Sequence, residues 1–181
     1  MTVAAEIFPG TYQSDPSHSS FEAGVRHMGV GSFKTRFEDV QATLTEDADG
    51  LRLEGRAAVA SIAIRNPPEM REHVINGGDM FDAANHPEIR FASSDIEVRD
   101  DDTIEIRGEL TIKGTTRPLV ATGTYRAPLE DPYGGVRTAI DLIATVDRRD
   151  FGLDWQMPLP GGGDVLAWKV QIAAHLEFVK D

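Results

Sequence analysis

One stretch constrains this chain more than any other. In Thr103-Ile-Glu-Ile-Arg-Gly-Glu-Leu-Thr-Ile-Lys-Gly114, Ile104, Ile106, Leu110 and Ile112 fall on one parity, with Gly108 among them. Glu105, Arg107, Glu109, Thr111 and Lys113 fall on the other. Side chains alternate faces along a strand, so this is a strand with one oily and one charged face. Such a strand belongs to a sheet that is covered on one side and wet on the other. Gly108 removes a side chain from the oily face, which predicts a bend or the close approach of another group.

The same alternation recurs along the chain. Phe21, Ala23 and Val25 alternate with Glu22, Gly24 and Arg26 up to His27, and Met28 to Ser32 reads as a turn or bulge. Phe33 to Thr45 is extended, and Asp47-Ala-Asp-Gly50 is a hairpin turn leading into a strand from Leu51 to about Ile64. Further strands are expected over Glu88 to Arg99, Thr115 to Arg126, Val136 to Asp147 and Val165 to Lys180. One segment breaks the pattern. Asn66 suits a helix N-cap, Pro67 the first helical position and Gly77 the stop, which predicts a short helix after the fourth strand, with a further turn over Asp79 to Ala84. About eight amphipathic strands at hairpin spacing predict an all-β fold, a sandwich or an antiparallel barrel with a helical cap. The whole chain, 1–181, reads as one domain.

Composition narrows the function. The absence of cysteine rules out disulfides, thiolate metal sites and a thiol nucleophile. A net charge of −12 repels nucleic acid and anionic membrane surfaces unless a basic patch is segregated. The one short basic cluster, Arg148-Arg149, is flanked by Asp147 and Asp150, so no nucleic-acid partner is expected. No run approaches the about 20 apolar residues of a transmembrane span. The stretch Met1 to Gly10 lacks the basic start and apolar core of a secretory signal, which predicts a cytoplasmic protein.

Catalytic and cofactor motifs are absent. Asp15, His18 and Ser19 invite a triad, but adjacent residues of an extended chain point to opposite faces, and Asp15 better closes a turn around Pro16. Gly161-Gly-Gly163 lacks the context of a phosphate loop. Histidines 18, 27, 73, 86 and 175 show no paired ligand spacing, so neither a metal nor another cofactor is called for.

Several motifs, in order, carry a family resemblance. They are Asp15-Pro-Ser-His-Ser19 before Phe21, Val25-Arg-His27 followed by a Gly and Phe33, Pro87-Glu-Ile-Arg-Phe91, Gly108-Glu-Leu-Thr-Ile-Lys-Gly-Thr115, and Arg148-Arg-Asp-Phe-Gly152. From about Gly10 to Phe178 the chain resembles the YceI family. The resemblance implies an extended, eight-stranded, lipocalin-like barrel, often a homodimer, that holds a long amphiphile such as a polyisoprenoid or fatty-acid derivative. Many members are exported, and this chain resembles the cytoplasmic minority.

The residues agree with a lipid site. The inward parity offers Phe21, Val25, Ile106, Leu110 and Ile172, with Ala23, Gly55, Ala57, Gly108 and Ala174 leaving room among them. Burial of an acyl or prenyl chain is favoured by about 0.8 kcal/mol per methylene. The motif residues Phe33, Phe91 and Phe151 complete the apolar set. His27 shares the parity of Phe21 and Val25 and is placed to meet a polar or anionic head group, with Arg148 or Arg149. Trp155, Met157 and Trp168 are candidates for a portal, and Met80 and Phe81 for a lid. A non-catalytic lipid binder or carrier is the leading expectation. Its rivals are an enzyme acting on a lipid-like molecule through His27, and a structural or stress-linked module whose barrel is filled by side chains.

Overall fold

In the computed structural model, which describes residues 7–181, the alternating runs become strands that pair antiparallel throughout. The stretch Met1 to Glu6, part of the segment read as lacking a secretory signal, lies outside the described residues. The strands are β1 (Gly10–Ser14), β2 (Ser20–His27), β3 (Gly31–Phe37), β4 (Val40–Asp47) and β5 (Gly50–Ala58). After a helix, α1 (Pro68–Asn76), come β6 (Glu88–Val98), β7 (Thr103–Ile112), β8 (Thr115–Glu130), β9 (Val136–Asp147) and β10 (Leu166–Lys180). Eight of them form a closed ring in the order β1-β4-β5-β6-β7-β8-β9-β10, completed where Tyr12 and Ser14 of β1 face Lys180 and Phe178 of β10. The other two extend the wall at one end. Where β1 has ended, β2 takes over the edge of β10 from His175 to Leu166, and β3 pairs with β2.

Burial in β7 alternates as its sequence does, with Ile104, Ile106, Gly108, Leu110 and Ile112 buried. The expected approach at Gly108 is a ring. A Cβ built there would sit 2.6 Å from Cζ of Phe91 and 2.3 Å from the carbonyl oxygen of Ala92. The turn into β8 is Lys113-Gly114, both with positive φ, as the right-handed twist of a two-residue hairpin demands.

Three local expectations shift. The run Phe33 to Thr45 breaks at Glu38-Asp39, because Phe37 bridges to Ile62 and the Ala63 amide donates to the Arg36 carbonyl. The helix therefore follows the fifth strand in chain order, not the fourth. The strand begun at Leu51 ends at Ala58, and Val59–Ser61 makes a 3-10 turn whose Val59 amide donates to Pro87. The helix starts one residue later than expected. Pro67, held extended by the ring of Pro68, occupies the N-cap in place of Asn66. Gly77 does end it, donating to the His73 carbonyl.

The interior divides into two halves. At the end where β1 closes the ring, Phe8, Tyr12, Leu44, Ile104, Ile140 and Phe178 are at most 1% exposed, and Phe8 meets Tyr125 edge-on at 5.6 Å. That half is solid. At the other end, enclosed by β2, β3 and α1, it is not.

Candidate functional site

The hollow half contains a cavity of about 550 Å³, within the range of small-molecule sites. The inner faces of β2 and β3 supply one wall. Their parity sends Phe21, Ala23, Val25 and His27 inward, with Phe33 and Phe37 opposite. Val146 of β9 and Val170 and Ile172 of β10 supply another. A space of about 100 Å³ continues toward the solid half, sharing Phe21, Ile89 and Ile172 with the larger cavity. Gly55, Ala57, Ala121, Ala144 and Ala174 line it, so small residues mark where the barrel is empty.

A cap covers the mouth. Met70, His73 and Val74 of α1 face the cavity, as do Met80 and Phe81 from the turn that follows. That turn folds back on the helix through amides of Phe81 and Ala83, which donate to Val74 and Ile75, and Phe81 meets Phe37 edge-on at 6.0 Å. The cap is tied to the segment after β9. The Asp79 carbonyl accepts from the amides of Asp154 and Trp155, and Lys113 Nζ donates to the carbonyls of Gly78 and Gly152. His73 Nε2 lies 2.7 Å from Asp79 Oδ1.

Both arginines already have partners within the chain. Arg148, only 4% exposed, donates through Nε to Ala167, through Nη1 to Leu153 and Trp155, and through Nη2 to Leu166, all backbone carbonyls. Its guanidinium stacks over Trp168, 4.2 Å from the ring centroid. Burial lowers its pKa, and the carbonyl dipoles offset the lost hydration. Arg149 is held bidentately by Asp147, at 2.9 and 2.6 Å, which keeps that carboxyl well below the usual range. The head-group role read for these residues meets a pair of guanidiniums already engaged within the chain.

Of the residues singled out in the sequence, Phe21, Val25, His27, Phe33 and Phe81 line the larger cavity, as do Arg148, Phe151, Trp155 and Ile172. Phe91 and Leu110 line the deeper space. Two lie elsewhere. Ile106 is fully buried in the core and lines neither space, and Trp168 lies outside both. The cause for Trp168 is a register shift, since Leu166 pairs with His27 and Val170 with Val25, leaving Ala167 to Lys169 opposite Arg26 alone. Met157 is 55% exposed at the rim. The lining that sequence reasoning passed over comes from α1, whose apolar residues are too few to show a helical stripe, and from Ile62 and Leu153 in irregular segments.

The titratable groups of the larger cavity are His27, His73 and Arg148, with no carboxylate among its lining residues. Such a lining can bury apolar surface and orient one polar end, and its one histidine–carboxylate contact is that of His73 with Asp79 in the cap. Far from it, Asp15, His18 and Glu177 place ligand-type atoms within 4.8 Å of one another. A cation is already there. Arg137 Nη1 lies 2.9 Å from Asp15 and 2.8 Å from Glu177.

The family model described as the YceI-like domain matches residues 12–178. A UPF0312 protein of Pseudomonas savastanoi pv. phaseolicola is 28% identical over 139 residues, covering 75% of this chain and 71% of that one. Among solved structures, BcnA of Burkholderia cenocepacia superposes with a TM-score of 0.71 at 22% identity, covering 91% of this chain and 98% of that one. A polyisoprenoid binding domain from Saccharophagus degradans superposes with a TM-score of 0.67 at 8% identity, covering 96% and 100%. No helix among the described residues is long and apolar enough to cross a membrane.

Proposed function

Since the chain belongs to the YceI-like domain family, we propose that it binds a long-chain amphiphile, a polyisoprenoid or fatty-acid derivative, inside the hollow half of its barrel and carries or stores it without chemical change. The observation that carries this reading is the cavity of about 550 Å³, lined almost wholly by apolar side chains and continued by a narrower space among alanines and glycines. The polyisoprenoid-binding neighbour supports the same ligand class. A prenyl or acyl tail fits a deep apolar space, and His27 at the rim, with Ser32 and Thr35, is placed to meet a polar end. An enzyme would need a titratable pair turned toward the ligand, and His73 with Asp79 in the cap is the pair that rival reading would have to use. The same reading has the chain as a homodimer, with outward-facing Val120 and Ile143, 52% and 63% exposed on β8 and β9, as apolar area for the contact, which light scattering checks.

Denaturing organic extraction of the purified protein followed by mass spectrometry tests the ligand. The expected result is a prenyl or acyl species at one per chain, with added farnesol taken up by emptied protein. Protein that is always empty and takes up neither farnesol nor a long-chain fatty acid would overturn it. A ligand recovered chemically altered would favour the enzyme.

A further inference from the structure

The hairpin of β2 and β3 projects beyond the closed ring, and its two faces differ. The inner face lines the cavity, while the outer face carries Arg26, Lys34 and Arg36 against a single acid, Glu22. In a chain of net charge −12 this is a segregated basic patch. Arg36 pairs with Glu38 at 3.3 Å, but Arg26 and Lys34 have no carboxylate partner among the described residues. The hairpin tip, Met28-Gly29-Val30, is apolar and exposed, Val30 at 85% and Met28 at 44%. Beside it the Met28 amide donates to Val165, whose own amide donates to Met157, so a third exposed apolar side chain joins the same rim. Val30 and Gly31 also line the cavity, which puts this rim at the mouth.

We propose that the β2–β3 hairpin docks the cavity mouth onto the surface of a lipid bilayer containing anionic lipids, so that the ligand passes between bilayer and barrel without crossing water. This rests on the lipid-binding reading above. An apolar tip flanked by cations is the chemistry of interfacial attachment: the tip enters the headgroup region, and each cation near an anionic surface adds to the attraction. The acidic remainder of the chain does not oppose it strongly. Beyond a Debye length of about 8 Å at physiological salt its charges are screened, whereas the patch and tip lie at the contact itself.

Flotation of the full chain with vesicles tests this, using phosphatidylcholine alone and an equimolar mixture with phosphatidylglycerol. Binding is expected only to the mixture and is expected to fall with added salt. Removing both cations that lack a carboxylate partner, in Arg26→Gln/Lys34→Gln, weakens it about 30-fold. Met28→Asp weakens it more than about tenfold, by removing an apolar contact and setting a carboxylate against the anionic surface, and aspartate tolerates the positive φ of that position. Neither site lines the cavity, so farnesol delivered from detergent micelles still loads both variants. Equal binding to both kinds of vesicle, no binding to either, or full binding by the variants would overturn the docking. Failure of farnesol to load from micelles would overturn the lipid-binding reading instead, and flotation is read without it.

Discussion

Gly108 and Arg148 show how single residues set the interior. The edge of the Phe91 ring and the Ala92 carbonyl together fill the place of a side chain at Gly108, opposite a bulge at Ser94. Gly108→Ala is expected to cost about 2 kcal/mol in urea unfolding through overpacking. Phe91→Ala in the same chain should not rescue it, because the Ala92 carbonyl is the nearer obstacle. A rescue would mean that the ring alone demands the glycine. Arg148 gathers four carbonyls, two from the segment after β9 and two from the start of β10, where its pairing with β2 shifts register. Arg148→Met would leave the Leu153, Trp155 and Ala167 carbonyls bare, Leu166 keeping the Gln156 side-chain amide, and is expected to cost about 3 kcal/mol. Arg148→Lys should lose most of that too, since one ammonium cannot reproduce the planar fork. A lysine variant as stable as the parent would show that charge alone suffices.

At the scale of elements, Arg137 of β9 draws together the β1–β2 corner at Asp15, the β8–β9 turn at Asp131, and Glu177 of β10. The guanidinium, then His18 and the Ser17 amide, hold the Asp15 carboxyl well below its ordinary range, while Asp15 raises the His18 pKa. A carboxyl depressed in the folded state stabilises above its unfolded pKa, about 4, and that contribution is lost as pH falls toward the folded value. A raised histidine acts in the opposite sense, stabilising below about 6.5 and losing its effect as pH climbs through the folded pKa. Asp15→Asn should therefore lower the urea midpoint most between about pH 4 and 6.5, with the two chains converging in strong acid. Parallel curves down to about pH 2 would show that the corner is held by its backbone bonds alone.

For the whole molecule, alternation made the barrel legible from the sequence, because inward and outward residues of β7, of β2 and of β10 from Val170 onward each obey one parity count. Near-neighbour pattern could not reveal what depends on distant partners. The break at Glu38-Asp39 is imposed by Ile62, and Trp168 leaves the cavity wall through the extra residues facing Arg26. The employment of Arg148 follows from four carbonyls that only the folded chain assembles. Small residues on the inward parity pointed to empty space and correctly included Ala23, Gly55, Ala57 and Ala174. Gly108 belonged to the same class and is filled by a neighbour, since a missing side chain reads the same whether a ring or a void replaces it.

The solid half of the barrel has a consequence for whatever occupies the other. Phe8, Tyr12, Ile140 and Phe178 close one end completely, so the interior is a well with a floor and not a pipe. On the reading proposed above, a tail entering at the β2–β3 rim advances only until it meets that floor, and any excess length stays outside. Depth then acts as a gauge: chains shorter than the well leave wall unpaired with ligand, longer ones leave tail in water, and the best-held chain is the one that ends where the aromatic floor begins.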